Sequence, residues 1–313
     1  MRILVFGAGC VGRGLIGKLF SEAGHYVCFV EKRTDLAYDL AHKHYYAVNS
    51  GRQIDWVGPV DSALASRRTE TEIREADLIV VSVRVENLQD VADTLKSIPS
   101  DAPIWVIENH PNVGQVFTEL LASTQSVFPG IAECVIPEVP DDIAQLDTSF
   151  CYGDAMGELV LPKEAKRDWI QSINRLRWSD SFDFDWDLKW YLHCAFHAVV
   201  AYNGLAKHYT YIHQAMQDKE LRDGLCRLMA KAVSALTVKW KNAERIETRR
   251  RTEFDNLSYP SLPDTCARVA RDAKRKVLPG ERLNALKQLV GDDTVLNVAI
   301  KQAYAEVDME LKP

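Results

Sequence analysis

The chain opens on a short apolar run that leads directly into a glycine-rich turn. Arg2 to Phe6 has the composition of a buried β-strand, and Gly7 to Gly12 follows it as GAGCVG, a G-x-G-x-x-G pattern. An amphipathic stretch then ends at Gly24, and a second apolar run, Tyr26 to Val30, ends in Glu31. Strand, glycines, helix, strand and acid in this order predict a βαβ unit that binds a dinucleotide. This unit predicts an α/β fold that begins with a Rossmann-like, doubly wound sheet.

Each residue of the turn has a physical task in such a unit. Gly7 allows the tight turn, Gly9 lets the backbone approach a pyrophosphate, and Gly12 lets the helix pack close to the strand. Cys10 and Val11 lie at the start of the helix, where free N–H groups and a partial positive charge attract phosphates. We therefore expect all five residues to contact the cofactor.

The end of the second strand bears on which cofactor binds. Glu31 can accept hydrogen bonds from the adenosine ribose, which favours NAD. Lys32 and Arg33 follow it directly, and either cation could instead pair with a 2′-phosphate. The sequence thus predicts NAD and does not exclude NADP.

Two further apolar runs predict more strands of the same sheet. Leu78 to Val83 and Ile104 to Ile107 are nearly continuous, as is typical of parallel strands buried on both faces. Ligands of such sheets bind beyond the carboxyl ends of the strands. Ser82, Glu108 and Asn109 are therefore candidate residues at the rim of the cofactor site.

One carboxylate interrupts a later apolar run, Ile131 to Pro137. Burial of an acid is costly unless it is paired, so Glu133 either ends a strand or has a function, and we favour the function. Farther along, the pattern predicts a helix from Lys163 to Leu176 and a strand from Trp178 to Phe184. We place the domain boundary there, with a dinucleotide-binding domain at 1–183 and a helical substrate domain at 184–313.

The second half shows helical periodicity almost throughout. The predicted helices are Trp186 to Leu205, Thr210 to Trp240, Leu262 to Arg275, Glu281 to Leu289 and Thr294 to Leu311. This domain is expected to be all-helical.

The first of these helices carries a polar stripe on an otherwise apolar surface. Lys189, His193 and His197 recur every fourth residue, so they lie on one slanting face. Two histidines at this spacing can ligate zinc, but no third ligand follows at a suitable spacing, so we predict no metal. For His193, a hydrogen-bonded core histidine is an equally good interpretation.

A buried lysine suits alcohol oxidation. Desolvation and a neighbouring oxidised nicotinamide would lower its pKa from the reference of about 10.4 towards working pH. Neutral Lys189 could then accept the hydroxyl proton while hydride leaves carbon, and His197 could hold the substrate oxygen in line.

Composition and charge exclude several other classes. A net charge of −6 gives no reason to expect nucleic acid or an anionic membrane as partner. No apolar run approaches the roughly 18 residues of a membrane span. Seven scattered cysteines without a metal-binding or disulfide pattern indicate reduced thiols, and with a strand at the N-terminus they predict a cytoplasmic protein. The basic run Arg249 to Arg251 is interpreted as a solvated helix face.

The motifs together resemble those of the polyol-specific long-chain dehydrogenases. The segments that carry the resemblance cover both halves: VFGAGCVGRGLIGKLFSEAG, Glu108-Asn109, KWYLHCAFHAVVAYNGLAKH and PSLPDTCARVARDAKRKVLPGERL. The family implies a metal-independent, NAD(H)-dependent oxidoreductase that acts on a polyol or ketose, or on a sugar phosphate.

The resemblance also implies roles for individual residues. The family pattern K-x4-N-x2-H makes Lys189 the general base and His197 the residue that orients the reacting oxygen. Cys194 occupies the position of the Asn, whose amide donates to the developing alkoxide, and a thiol is a weak donor. Loss of one such donor typically lowers the rate about 10²- to 10³-fold. Glu133 stands where the family has Asp, next to Cys134 in place of Arg, and is expected to contact substrate or relay a proton.

Basic positions of the last segment, Arg268 and Lys276, are expected to bind substrate, as is His193. Two alternatives stay open: a ketopantoate-type 2-ketoacid reductase, and an NAD-binding protein with impaired catalysis because of Cys194. Neither the substrate nor the choice between a monomer and a homodimer follows from the sequence.

Overall fold

A computed structural model describes residues 1–51, 53–65, 69–170, 173–260 and 264–310. The chain forms two compact units, Met1–Phe182 and Asp183–Pro313. The first is a mixed α/β unit and the second is helical.

Among the described residues, the strands all belong to the first unit. They are β1 Arg2–Phe6, β2 Tyr26–Glu31, β3 Tyr46–Asn49, β4 Ile54–Val57, β5 Val60–Leu64, β6 Leu78–Val81, β7 Ile104–Ile107, β8 Val127–Glu133, β9 Cys151–Tyr152, β10 Glu158–Pro162 and β11 Leu176–Ser179. Its helices are a π-helical segment Gly12–Gly17 continued by α1 Lys18–Glu22, then α2 Thr34–Lys43, α3 Glu70–Arg74, α4 Leu88–Lys96, α5 Val113–Leu121 and α6 Asp141–Leu146.

The large sheet has the strand order β11-β10-β8-β7-β6-β1-β2-β5. From β5 to β8 all neighbours are parallel, and β10 runs antiparallel to β8. Chain order reverses between β1 and β6, which is the switch point where a doubly wound sheet binds its ligand. The predicted α/β class and Rossmann-like sheet are confirmed.

Both faces of the parallel strands are buried, as the continuous apolar runs predict. In β1, Ile3 and Val5 point into one core, whereas Leu4 and Phe6 point into the other. This alternation follows from the two-residue repeat of a strand. A second sheet, with the order β4-β3-β9, was not predicted.

Two predicted elements near the end of the first unit are wrong. The expected helix from Lys163 to Leu176 is replaced by two short 3₁₀ turns, Lys163–Ala165 and Asp168–Ile170, and then β11. Ala165 and Ile170 are buried in the sheet's core at a spacing of five residues, which does not make a helical stripe. The expected strand from Trp178 ends at Ser179, where the Ser179 hydroxyl accepts the N–H of Ser181 and turns the chain.

The first helix of the second unit begins at Phe182, which is the last residue of the first unit. The helices of the second unit are α7 Phe182–Asp187, a π-helical segment Leu188–Ala195, α8 Phe196–Ala206, α9 Ile212–Gln217, α10 Lys219–Trp240, α11 Ala243–Ser258, α12 Cys266–Ala270, α13 Ala273–Lys276, α14 Arg282–Val290 and α15 Thr294–Glu310. Every residue of α8 from Phe196 to Gly204 is buried, so this is the central helix of the unit. It packs against α9, α12 and α15.

Several predicted helices are interrupted. The predicted helix from Thr210 to Trp240 breaks at Asp218, whose side chain accepts the N–H of Leu221 and begins α10. In the predicted helix from Leu262, residues 262 and 263 lie outside the described ranges. Its described part breaks at Asp272, which has a left-handed φ of 58°. Helix α11 was not given bounds from the sequence, although its basic run Arg249 to Arg251 was interpreted as a helix face.

Candidate active site

The glycine turn of the first unit is built as tightly as its motif predicts. Gly7 has a φ of +96°, and a Cβ there would lie 2.4 Å from the carbonyl oxygen of Ser82. A Cβ on Gly12 would lie 2.1 Å from the carbonyl oxygen of Gly7. A Cβ on Gly9, in contrast, would have nothing within 4 Å. A side chain therefore has no room at Gly7 or Gly12, but it has room at Gly9.

The residues between these glycines lead into the first helix. Val11 has helical dihedrals and precedes the π-helical segment, which begins at Gly12. Cys10 and Val11 are half-buried against the core of the sheet. Because these two residues follow β1, the helix begins at the switch point of the sheet.

Glu31, at the end of β2, accepts hydrogen bonds from three backbone N–H groups, one of them in the glycine turn. Its Oε2 accepts the N–H of Ala8 at 2.8 Å, and its Oε1 accepts the N–H groups of Lys32 and Arg33. Lys32 Nζ donates to Asp90 at 2.6 Å, and the Arg33 guanidinium donates to Asp35 at 2.7 Å. Both cations that could attract a 2′-phosphate are thus paired with acids.

A cleft of about 320 Å³ lies next to Glu31. Its lining residues are Phe6, Val30, Ala65 and Val91 on the apolar side and Lys32, Asp90 and Thr94 on the polar side. A flat apolar ring system with a few polar edges suits such a cleft.

Other expected cofactor and substrate residues lie at the same edge of the sheet. Ser82 follows β6 and donates its N–H to the carbonyl of Phe6. Glu108 and Asn109 follow β7 and are half-buried. Glu133 is the last residue of β8 and is also half-buried. Because β1, β6, β7 and β8 are parallel, their carboxyl ends share one edge.

In the second unit, the polar stripe begins on the π-helical segment Leu188–Ala195. Such segments use i→i+5 hydrogen bonds and occur often at functional sites. Lys189 is only 1% exposed, and its charge influences both His193 and Glu253. A lysine so deeply buried needs polar surroundings, and this stripe provides them.

His193 belongs to a buried chain of three polar side chains. Its Nδ1 is 2.7 Å from Oε2 of Glu253, and Oε1 of Glu253 is 2.6 Å from the Arg249 guanidinium. Both partners come from α11. Burial lowers the pKa of His193 to about 4, and the charge of Lys189 acts in the same direction.

His197 belongs to a second chain of the same kind, which joins an imidazole, a carboxylate and a guanidinium. Its Nε2 is 2.7 Å from Oδ2 of Asp264, and Oδ1 of Asp264 is 2.5 Å from the Arg268 guanidinium. Burial raises the pKa of Asp264, but the hydrogen bond from His197 and the charge of Arg268 outweigh burial and hold it at about 2. In the same way, His193, Arg249 and Lys189 outweigh burial and hold the pKa of Glu253 at about 2. Both carboxylates are therefore ionised.

Cys194 lies in an apolar cluster with Trp190 and Ala285. The guanidinium of Arg282 lies 5.6 Å from the centre of the Trp190 ring. The side chain at this position thus packs against hydrophobic groups.

The two expected substrate cations differ in their surroundings. Arg268 is half-buried and is held by Asp264 through its Nε as well, at 2.7 Å. Lys276 is buried and donates to the carbonyls of Val269, at 2.5 Å, and Arg271. Burial, together with nearby Arg282, Arg275 and Arg271, lowers the pKa of Lys276 to about 7. Its contacts brace the loop between α12 and α13.

Three residues of this site were missed or misjudged from the sequence. Asp264 was not assigned a role, and Glu253 was not noticed. Arg249 was expected on a solvated face, which is wrong because it pairs with buried Glu253. A signal was present: the buried residues of α11 are Ile246, Glu253 and Leu257, a helical spacing that puts Glu253 on the apolar face.

From the low pKa of His193 we predict how the free energy of unfolding depends on pH. Between about pH 6.5, the value for an unfolded chain, and about pH 4, the unfolded chain binds a proton that the folded chain does not. The free energy of unfolding therefore falls as the pH falls through this window, by on the order of 3 kcal/mol in total. His193→Asn removes this contribution. Urea unfolding from pH 7 to pH 4 should show a shallower decline for the variant, and equal declines would contradict the prediction.

Within the described ranges, no helix is long and apolar enough to cross a membrane. Among the same residues, no group of three or more His, Cys, Asp or Glu side chains has a metal-binding arrangement.

Comparison with known proteins agrees with this two-unit arrangement. Family models match both units: the mannitol dehydrogenase Rossmann domain at residues 1–124 and the mannitol dehydrogenase C-terminal domain at residues 191–306. A mannitol-1-phosphate 5-dehydrogenase from Clostridium acetobutylicum is 24% identical over 318 residues, covering 90% of this chain and 80% of its own.

Solved structures with a similar fold include two types of dehydrogenase. Mannitol 2-dehydrogenase from Pseudomonas fluorescens, in complex with NAD and D-mannitol, has a TM-score of 0.73 at 13% identity, over 98% of this chain and 79% of its own. A ketopantoate reductase from Ralstonia eutropha has a TM-score of 0.68 at 16% identity, over 100% of both chains. At these identities the likeness concerns the fold alone.

Proposed function

Because the chain belongs to the mannitol dehydrogenase family, we propose that it is an NAD(H)-dependent oxidoreductase that interconverts a sugar alcohol, or its phosphate, and the corresponding ketose. The observation that carries the proposal is the stripe on one helix face of the second unit. It combines a lysine that is 1% exposed with a histidine that is anchored by a buried carboxylate. Such a lysine can remove a hydroxyl proton, and such a histidine can orient the oxygen.

The first unit fits a dinucleotide. Open space above Gly9 leaves room for a pyrophosphate, and the start of the helix at Gly12 supplies free N–H groups. The cleft beside Glu31 suits an adenine ring, and the carboxylate of Glu31 can accept hydrogen bonds from the ribose. We infer that Ser82, Glu108 and Asn109 complete the rim of this site.

In the proposed oxidation, Lys189 accepts the proton of the substrate hydroxyl. When bound, the nicotinamide ring supplies the hydride acceptor at its C4. His197, held by Asp264 through Nε2, orients the substrate beside the reacting oxygen. Arg268, fixed by the other oxygen of Asp264, contacts the hydroxyls or the phosphate of the substrate. We infer that Glu133, at the carboxyl end of β8, contacts the substrate.

The experiment that tests this function is NADH oxidation with a panel of ketoses. Fructose 6-phosphate and fructose are the first members, and small branched 2-ketoacids are the controls. Turnover of a ketose and not of the 2-ketoacids supports the proposal. Turnover of the 2-ketoacids alone would instead indicate a ketopantoate-type reductase.

A catalytically impaired NAD-binding protein is the second candidate, and the surroundings of Cys194 favour it. A thiol packed against Trp190 and Ala285 gives a developing alkoxide no strong donor. This candidate predicts tight NADH binding by fluorescence without turnover. Cys194→Asn would then gain activity, whereas in an active enzyme with another donor it would change little.

Glu31 provides a prediction about cofactor choice. Its charge repels a 2′-phosphate, whereas Gln at this position keeps an oxygen that can accept the N–H of Ala8. We expect Glu31→Gln to raise the affinity for NADPH relative to NADH by about tenfold, since roughly 1 to 2 kcal/mol of repulsion is removed. Fluorescence titration with both cofactors measures the ratio. Glu70→Gln, at an exposed acid of α3 that pairs with Arg74, is the control and should leave it unchanged.

A further inference from the structure

His193 lies on the stripe midway between the two residues of the proposed reaction. It is four residues from both Lys189 and His197, and its ring centre is 5.4 Å from that of His197. The position falls outside the K-x4-N-x2-H pattern. Its side chain is nevertheless as well anchored as that of His197, through Glu253 and Arg249.

The contact with Glu253 fixes which nitrogen of His193 carries the hydrogen. An ionised carboxylate only accepts hydrogen bonds, so Nδ1 must be the donor. Arg249 keeps Glu253 ionised through its other oxygen. Because burial lowers the pKa of His193 to about 4, the ring carries a single hydrogen at neutral pH. Nε2 then carries a lone pair and can only accept a hydrogen bond.

We propose that His193 determines specificity by accepting, at Nε2, a hydrogen bond from a substrate hydroxyl next to the reacting carbon. Glu253 and Arg249 are positioning residues, because they act through the imidazole and hold its Nδ1–H form. This inference rests on the proposed polyol dehydrogenase function. It also excludes one role for His193: a neutral ring with its hydrogen committed to Glu253 cannot replace the amide donor that is absent at Cys194.

An acceptor beside the reacting carbon selects among substrate classes. A polyol or hydroxyketone has a hydroxyl at that position and can donate to Nε2. A 2-ketoacid has a carboxylate there, which carries only lone pairs and would face the lone pair of Nε2. The site is thereby directed towards polyhydroxyl chains and against carboxylates.

Two substitutions of His193 test the acceptor at Nε2 separately from the hydrogen bond to Glu253. In His193→Asn, the amide nitrogen lies where Nδ1 was and can still donate to Glu253, but nothing remains at the position of Nε2. In His193→Gln, the longer side chain returns a carbonyl oxygen to that position. The measurement is kcat/KM for a ketose that is turned over and for its deoxy analogue, which lacks one hydroxyl beside the carbonyl.

We expect the wild-type protein to prefer the ketose over its deoxy analogue, and His193→Asn to reduce this preference about tenfold, as for loss of one hydrogen bond. His193→Gln should restore most of it. Glu253→Gln should also reduce it, because its amide can donate to Nδ1 and drive the hydrogen to Nε2. Glu247→Gln is the matched control on α11, where Glu247 pairs with Arg250 and Arg251, and it should change nothing.

The tautomer can be measured without turnover by ¹⁵N NMR of the imidazoles, with His193 assigned from the resonances missing in His193→Asn. We expect hydrogen on Nδ1 and a bare Nε2 at pH 7, with Glu253→Gln altering both signals. Hydrogen on Nε2 in the wild-type protein would overturn the inference, as would an unchanged preference in His193→Asn. Failure of the wild-type protein to turn over any ketose or polyol would overturn the proposed function itself.

Discussion

Lys189→Met is expected to lower kcat for polyol oxidation by about 10²- to 10⁴-fold, the usual contribution of a general base. Methionine has a similar volume and suits a site that is 1% exposed, so the fold should accept it. Removal of the cation relieves its desolvation, but it also leaves buried Glu253 without the attraction of this charge, so stability should fall as well. The expected result is therefore a large loss of rate together with a lower free energy of unfolding.

Lys18→Met is the matched control for this substitution. Lys18 is also almost fully buried, but it lies on α1 of the first unit and pairs with Asp55 at 2.6 Å. Its loss leaves Asp55 without this cation, so stability should fall while kcat stays close to that of the wild-type protein. Steady-state kinetics and urea unfolding of both variants give the comparison. A Lys189→Met protein with wild-type kcat would show that this lysine is not the base.

The second large effect is expected at the glycine turn. In Gly12→Ala, the new Cβ would lie 2.1 Å from the carbonyl oxygen of Gly7, so the turn and the helix must move apart. The gain in helix propensity from Gly to Ala is about 1 kcal/mol. A backbone clash of this kind costs about 3 kcal/mol or more, so the clash prevails. We expect lower stability and at least a hundredfold loss of NADH affinity.

Gly9→Ala separates cofactor binding from folding. Its Cβ would have nothing within 4 Å, so the free energy of unfolding should stay within about 0.5 kcal/mol of the wild-type value. The methyl group nevertheless occupies the space through which the backbone approaches a pyrophosphate. NADH affinity, measured by fluorescence, should fall about tenfold or more. Wild-type affinity in this variant would place the pyrophosphate elsewhere.

The elements predicted well are those whose signal is local. The glycine turn, the buried parallel strands and the stripe of Lys189, His193 and His197 each follow from spacings within about ten residues. The candidate site residues of the first unit were named from the same local spacings, and their roles stay predictions.

What could not be predicted depends on contacts between distant parts of the chain. Glu253 and Asp264 lie some sixty residues beyond the histidines they anchor, in segments with ordinary helical or loop composition. The failed helix from Lys163 shows the same limit, because burial in the sheet's core overrides local propensity there. A carboxylate that faces a buried imidazole has no sequence signature of its own.

The chain of His193, Glu253 and Arg249 also restricts how this protein can change. A hydrophobic residue at 193 would leave Glu253 buried without its imidazole, and a hydrophobic residue at 253 would leave Arg249 without its carboxylate. Each single replacement is harmful unless the others accompany it. We therefore expect divergence at these three positions to be correlated: a homologue that has lost the imidazole should have replaced the acid as well.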